Sequence, residues 1–286
     1  MVRVGVHVSI AGSIDKAVDR AEERGCDTFQ IFTRNPRGWK IKELTETDAM
    51  RFIDKVKRSG IFPPVDHMPY LPNLAAPTDE VYEKSVAALT EELKRCDSLQ
   101  IPYLVTHLGS HRGSGKEAGL RRIVDAINTA FREAEVEGDN SVMLLLENTA
   151  GTKNSMGGTF EDIRDIMDRI EHKERIGICF DTCHAFVASY ELRTEKSLNA
   201  TMQHFDEVIG LEHLKLIHLN DAKAGLDSRL DRHEHIGLGY IGEEGFRVIL
   251  KDARFNALPM ILETPVDNRR GNRENIQKVR ELAAQQ

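Results

Sequence analysis

Short runs dense in β-branched and other apolar residues punctuate the chain, and the stretches between them show apolar positions returning at helical spacing. The runs are RVGVHVS (3–9), TFQIFT (28–33), FPPVDHM (62–68), YLVTHLG (103–109), VMLLLEN (142–148), IGICFDTC (176–183), LKLIHLND (214–221) and MILETP (260–265). Between them, Val81, Ala88, Leu89, Leu93 and Cys96 mark one helical face, and Ile163, Ile166, Met167 and Ile170 mark another. Thr78 precedes Asp79 and Glu80, and Thr159 is followed by Glu161 and Asp162, acids placed where a helix dipole favours them.

Eight strand–helix units of this kind predict a TIM-type (β/α)8 barrel, because parallel strands need crossover helices and are buried on both faces. No low-complexity tract, linker or charge block divides the chain, so residues 1–286 are expected to form one barrel domain. A doubly wound open sheet competes, but GSID after the first run is not a Gly-rich phosphate loop.

Composition adds limits. With 40% hydrophobic and 30% charged residues, a sizeable core is possible. No apolar run approaches the roughly 20 residues that span a bilayer, and MVRVGVHVSI lacks the features of a secretion signal, so a cytoplasmic protein without a membrane partner is expected. Cys26, Cys96, Cys179 and Cys183 are scattered, which predicts reduced thiols, the last two packed in the core. The formal charge of -7 counts against gripping a polyanion by general electrostatics. A phosphate-bearing ligand would need a local positive source.

The carboxyl ends of the runs carry the chemistry. They present His7, Gln30, His67, His107, Glu147, Asp181 with His184, His218 with Asn220 and Asp221, and Glu263. In a barrel all these ends meet at one rim, where such folds place their active sites. A single rim histidine is more often a hydrogen-bonded structural residue than a ligand, but His67, His107 and His218 hold equivalent positions on different strands. Glu147 and Glu263 close the apolar runs LLLE and ILE, where an unpaired carboxylate would be costly or would stay protonated; a cation removes that problem. Off the strands, Asp231 and His233 in DSRLDRHEH are two apart and point the same way in an extended loop, with His235 an alternative. His111, His172, His204 and His213 fall in polar stretches and are expected to be solvated. The mixture of nitrogen and oxygen donors favours Zn2+, with Mn2+ or Fe2+ as substitutes, and exceeds what one tetrahedral ion can use.

The segments HMPYLPNLA (67–75), THLGSH (106–111), LLENTAG (145–151), GICFDTCHAF (177–186), HLNDAK (218–223), DSRLDRHEHIGLG (227–239) and ILET (261–264) together resemble endonuclease IV, the zinc-dependent family of apurinic/apyrimidinic (AP) endonucleases. The resemblance spans most of the chain and implies a xylose-isomerase-like barrel with three zinc ions. It implies that His67 and His107 hold a first ion, that Glu147 bridges it to a second held by Asp181, His218 and Glu263, and that His184, Asp231 and His233 hold a third. The implied reaction is hydrolysis of duplex DNA on the 5′ side of an abasic site, leaving a 3′-hydroxyl and a 5′-deoxyribose phosphate, with Glu147 and Glu263 orienting the attacking hydroxide. Trimming of blocked 3′ ends, a monomeric state and work on nucleoid DNA are implied as well. In IFTRNPRGW (31–39) the loop after the second run offers Arg34, Arg37 and Trp39; the resemblance places Arg37, Tyr70 and Leu71 where they enter the base stack at the lesion.

This chain departs from the family pattern in TAGTKNSMGG, which lacks a second glycine soon after TAG, in Ala222 where serine is common, and in Phe180 where a smaller aliphatic residue stands. A metal-dependent sugar isomerase or epimerase on the same barrel is the alternative function, and the Asp231/His233 pair together with Arg37 and Tyr70 argues against it.

Overall fold

The computed structural model describes residues 2–134 and 142–285. Its elements run β1 (Arg3–Val6), α1 (Lys16–Arg24), β2 (Phe29–Ile31), α2 (Glu46–Ser59), β3 (Pro64–His67), α3 (Asp79–Ser98), β4 (Tyr103–Thr106), α4 (Lys116–Glu133), β5 (Met143–Glu147), α5 (Phe160–Arg169), β6 (Ile176–Asp181), α6 (Thr182–Val187), α7 (Glu195–Val208), β7 (Leu214–His218), β8 (Asp221–Ala222), β9 (His233–Glu234), α8 (Gly242–Lys251), α9 (Ala253–Asn256), β10 (Pro259–Leu262) and α10 (Asn272–Ala284). Eight strands pair in parallel in the order β1-β10-β7-β6-β5-β4-β3-β2. The ends of that order meet at a parallel bridge between His7 and Gln30, where Val8 N donates to Gln30 O at 2.8 Å. The sheet is therefore a nearly closed barrel, and the open-sheet alternative is excluded.

The barrel has two cores. Outward-facing residues such as Leu104, Leu144, Leu146, Ile178 and Ile217 pack against the helices, including Leu89 and Leu93 of α3 and Ile163 and Ile166 of α5. Inside, Val65, Val105, Leu145, Cys179, Leu216 and Ile261 form a separate buried cluster around the axis. Strand side chains alternate with a period of two, so the residue two places further along points to the same axis. Those residues are His67, His107, Glu147, Asp181, His218 and Glu263. An apolar plug thus closes the barrel one layer beneath a ring of polar donors.

Several local expectations are refined. Thr159 caps α5, its hydroxyl accepting from Asp162 N at 3.2 Å, whereas Thr78 makes no side-chain cap. The run 214–221 does not stay one strand: it breaks after His218, and Asp221–Ala222 turns into an antiparallel hairpin with His233–Glu234. Ala222 is buried in that hairpin opposite His233. Phe180 faces outward into an aromatic cluster, with ring centroids 6.3, 6.1 and 5.7 Å from Phe160, Phe205 and Phe255. All four cysteines are buried and unpaired.

Barrel closure leaves no room at Gly5 of β1, where a Cβ would lie 1.6 Å from the Thr28 carbonyl oxygen. Gly5→Ala is expected to lower stability by about 1–3 kcal/mol or more through forced separation of β1 from the segment entering β2. Thermal unfolding followed by circular dichroism checks this, and an unchanged melting temperature contradicts it.

Candidate metal centre

Glu147 ends β5 on the barrel axis with no solvent exposure. Its Oε2 lies 3.3 Å from His67 Nε2 and 3.1 Å from His107 Nε2, and its Oε1 lies 3.0 Å from His218 Nδ1. Around it the nine candidate side chains gather into three neighbouring groups. His67, His107 and Glu147 form one; Glu147, Asp181, His218 and Glu263 form the next; His184, Asp231 and His233 form the last, donor atoms within each group lying within 4.8 Å of one another. Glu147 belongs to two groups. Asp181 and His184 fall in different groups because β6 ends between them: Asp181 Oδ1 caps α6 by accepting from His184 N at 2.8 Å, and the helical turn carries His184 to the far side.

The imidazoles are oriented from behind. His67 Nδ1 donates to Met68 O at 2.6 Å, His184 Nδ1 to Asn148 O at 2.9 Å, and His233 Nδ1 to Glu263 O at 3.2 Å, so each presents Nε2 to its group. His218 is reversed: Nε2 donates to Gln30 Oε1 at 2.8 Å and Nδ1 faces the carboxylates. Tying one ring nitrogen to an oxygen acceptor leaves the other free for a cation, the arrangement found behind metal-binding histidines. His233 Nε2 is buried without any hydrogen-bond partner, although Asp181 Oδ2 lies 3.6 Å away. An orphaned buried nitrogen among carboxylates is what a cation would satisfy. Orphan atom, tautomers and mixed N/O donors together fit a divalent transition-metal site.

Asn148, Asn220 and Gln30 hold this set in place; Gln30 and Asn220 show in the sequence as polar groups at strand ends, and Asn148 does not stand out. Asn148 bridges to β6, its Oδ1 accepting from Asp181 N at 2.8 Å and its Nδ2 donating to Asp181 O at 3.1 Å. Asn220 donates to Asp181 Oδ2 at 2.8 Å and accepts from Glu263 N at 2.8 Å. Gln30 Nε2 donates to Glu263 Oε1 at 2.7 Å. Their only sequence signal is position, a carboxamide at or just past a strand end.

Other rim residues have different roles. Asp221 accepts from the amides of Ala222 and Ile241 at 2.8 and 3.0 Å through Oδ1 and from Gly237 and Gly239 at 2.9 Å through Oδ2, fixing the loop that carries Asp231 and His233. His235 is no alternative ligand: Asp267 Oδ1 and Asn275 Nδ2, at 3.0 and 2.9 Å, occupy both ring nitrogens. His111 is not simply solvated, since its Nδ1 accepts from Gly113 N and Gly115 N at 3.2 Å each. Cys183 lies within reach of Asp181 and His233, but burial pushes its thiol far up, away from the thiolate a metal needs. Tyr70 and Leu71 are exposed after β3 and line a cleft together with His107 and Asp231. Arg37 is exposed on the loop after β2 and does not line that cleft. Arg34 is buried against Glu92, and Trp39 packs on the outer core.

The electrostatics are those of an acid–imidazole cage. Burial alone would raise Glu147, but the imidazoles of His107 and His218 outweigh it and hold the carboxyl well below the usual range. Glu263 is likewise lowered to about 2, burial being overcome by His218 and His67. His184 is pushed up to about 10: burial opposes its charge, and Asp181 and Asp231 more than restore it.

A family model described as a xylose isomerase-like TIM barrel matches residues 18–285. That class agrees with the barrel and with a donor ring at the carboxyl ends of its strands. A Methanoculleus marisnigri protein named Probable endonuclease 4 is 62% identical over 283 residues, 99% of each chain. The crystal structure of endonuclease IV from Thermus thermophilus superposes with a TM-score of 0.87 at 35% identity, covering 99% of this chain and 100% of that one. A D-tagatose 3-epimerase-like protein superposes with a TM-score of 0.70 at 18% identity over 98% of both chains, a likeness of fold alone. The chain belongs to the endonuclease IV family. Among the described residues no helix is long and apolar enough to cross a membrane.

With His184 raised to about 10, its imidazole carries a proton at neutral pH in the metal-free chain, and a cation must displace it. Zinc uptake is therefore expected to release protons and to keep strengthening as pH rises toward about 10. Calorimetric titration in buffers of different ionisation enthalpy measures the proton count. Uptake with no proton release and no pH dependence contradicts this cage.

Proposed function

We propose that this protein is a metal-dependent AP endonuclease that hydrolyses duplex DNA on the 5′ side of abasic sites, leaving a 3′-hydroxyl and a 5′-deoxyribose phosphate, and that also trims blocked 3′ ends. The carrying observation is the convergence of nine remote side chains into three neighbouring groups, two of which share Glu147. We assign zinc to each group: His67, His107 and Glu147; Glu147, Asp181, His218 and Glu263; His184, Asp231 and His233. Mn2+ or Fe2+ would suit the same donors. Ions held there would supply Lewis-acid activation of water and charge neutralisation at the phosphate.

The chain's own residues do the rest. Glu147 and Glu263, held ionised by the facing imidazoles, orient the attacking water. Gln30 fixes Glu263 in that orientation through its 2.7 Å hydrogen bond. The exposed side chains of Arg37, Tyr70 and Leu71 occupy the stack beside the lesion, where an absent base makes entry cheap. The whole chain, 1–286, works as one barrel domain, as a monomer, on nucleoid DNA in the cytoplasm. The sugar epimerase alternative rests on a likeness at 18% identity, and the loop-borne pair Asp231 and His233 is the feature that favours the nuclease.

Zinc-loaded protein incubated with a duplex bearing one abasic analogue is expected to nick it 5′ to the lesion. Glu263→Gln is expected to reduce kcat by roughly a hundredfold or more while the melting temperature stays near that of the parent. An intact strand with fully loaded parent, or a full-speed Glu263→Gln variant, contradicts the assignment. Tyr70→Ala is expected to weaken abasic-duplex binding by roughly tenfold at unchanged zinc content. Fluorescence anisotropy with elemental analysis decides, an unchanged dissociation constant removing Tyr70 from the contact surface.

A further inference from the structure

The connection from β2 to α2 spans residues 32–45 with no helix or strand, and it carries Arg37 exposed near its middle. Beneath it lies a fully buried charged cluster that the metal chemistry does not use. Thr33, Arg34, Glu92 and Arg95 are 2, 3, 0 and 6% exposed. Glu92, on α3, pairs with Arg34 Nε and accepts the Thr33 hydroxyl. Arg95, one helical turn along, donates Nη2 to Thr33 O at 2.7 Å, Nε to Thr33 Oγ1 at 3.0 Å and Nη1 to Lys42 O at 3.1 Å. One guanidinium therefore grips both ends of segment 33–42. Thr33 N donates to Asp66 Oδ1 at 3.1 Å, which ties the same point to β3 directly beside His67.

We infer that Arg95 is a positioning residue for DNA recognition, setting the place of Arg37 relative to the metal centre through the two ends of its loop. The inference rests on the reading of this protein as an AP endonuclease with Arg37 at the lesion. Burying ionic groups is a poor route to stability, since apolar replacements of similar volume are commonly as stable or more so. What such a cluster supplies is geometry. A planar guanidinium with five donors holds two carbonyls and a hydroxyl at once, which neither a lysine nor an apolar side chain can do. All its bonds to this loop go to the two residues that bound the exposed segment, and none goes to the tip.

The test uses the zinc-loaded full chain and a duplex with one abasic analogue. Arg95→Lys keeps the charge but cannot span Thr33 O and Lys42 O together. It is expected to raise KM by roughly tenfold, the loss expected of a charged hydrogen bond, with kcat within about twofold and zinc content unchanged. Arg95→Met is the second variant and should behave alike. Adding Arg37→Ala to Arg95→Lys should cost little beyond Arg37→Ala alone, because both changes remove the same contact. A parent that nicks the duplex while both Arg95 variants keep its KM overturns this inference alone, as do losses that simply multiply in the double variant. A parent that does not nick overturns the functional reading and this inference with it.

Discussion

A carboxylate with no exposure to water, Glu147, stands on the axis of the barrel, and the architecture around it is arranged to keep it ionised. Desolvation of such a group is worth several kcal/mol against the charged form. Three imidazoles supplied by β3, β7 and the end of β4 answer it from three sides. Two of them, His67 and His218, are in turn held by Met68 O and Gln30, so the charge balance fixes not only side chains but the relative placement of strand ends. The same balance makes the site receptive to cations: a divalent ion among these side chains satisfies the acids and takes the imidazoles as neutral donors.

Strand periodicity turns this local requirement into a site. On six strands an apolar residue of the inner cluster is followed two positions later by a donor, as in Val65/His67, Val105/His107, Leu145/Glu147, Cys179/Asp181, Leu216/His218 and Ile261/Glu263. The plug excludes water from below, lowering the local dielectric and strengthening every interaction in the layer above. A third group cannot be built from strands alone. It takes His184 from the helical turn after β6 and Asp231 and His233 from the hairpin loop after β7, which is why the Asp221 carboxylate, with its four short bonds to backbone amides, matters to a centre it does not touch.

How much of this was legible follows from the same physics. Acids and imidazoles closing apolar runs are conspicuous because burial needs a reason, so Glu147, Asp181, His218 and Glu263 could be picked out from their neighbours alone. Asp231 and His233 were visible through spacing, but the same spacing admitted His235. Only the partners Asp267 and Asn275, remote in sequence, decide between His233 and His235. Gln30 and Asn220 showed only as polar strand-end positions and Asn148 not at all, because the role of a carboxamide there depends on which groups it meets. Arg34 misled in the opposite sense: in a loop sequence a cation reads as exposed, yet Glu92, some sixty positions away, draws it inside. Thr33 and Lys42 carried no sign that one guanidinium joins them.

A chain with a formal charge of -7 must still approach a polyanion, and the site makes the problem worse before it solves it. Glu147, Asp181, Asp231 and Glu263 put four carboxylates at the mouth of the barrel. Without ions, those carboxylates meet phosphate with only the surrounding imidazoles to offset them. Under the three-zinc reading, six positive charges are set against those four carboxylates, a net of about +2 concentrated above an apolar plug. The field is then local, strong at the scissile phosphate and weak elsewhere on an acidic surface. Under the same proposal, discrimination of damaged from intact DNA falls to shape, through Arg37, Tyr70 and Leu71 entering the stack beside the lesion. On that proposal the metal cage and the anchored loop depend on one another, the first supplying most of the attraction and the second the selectivity.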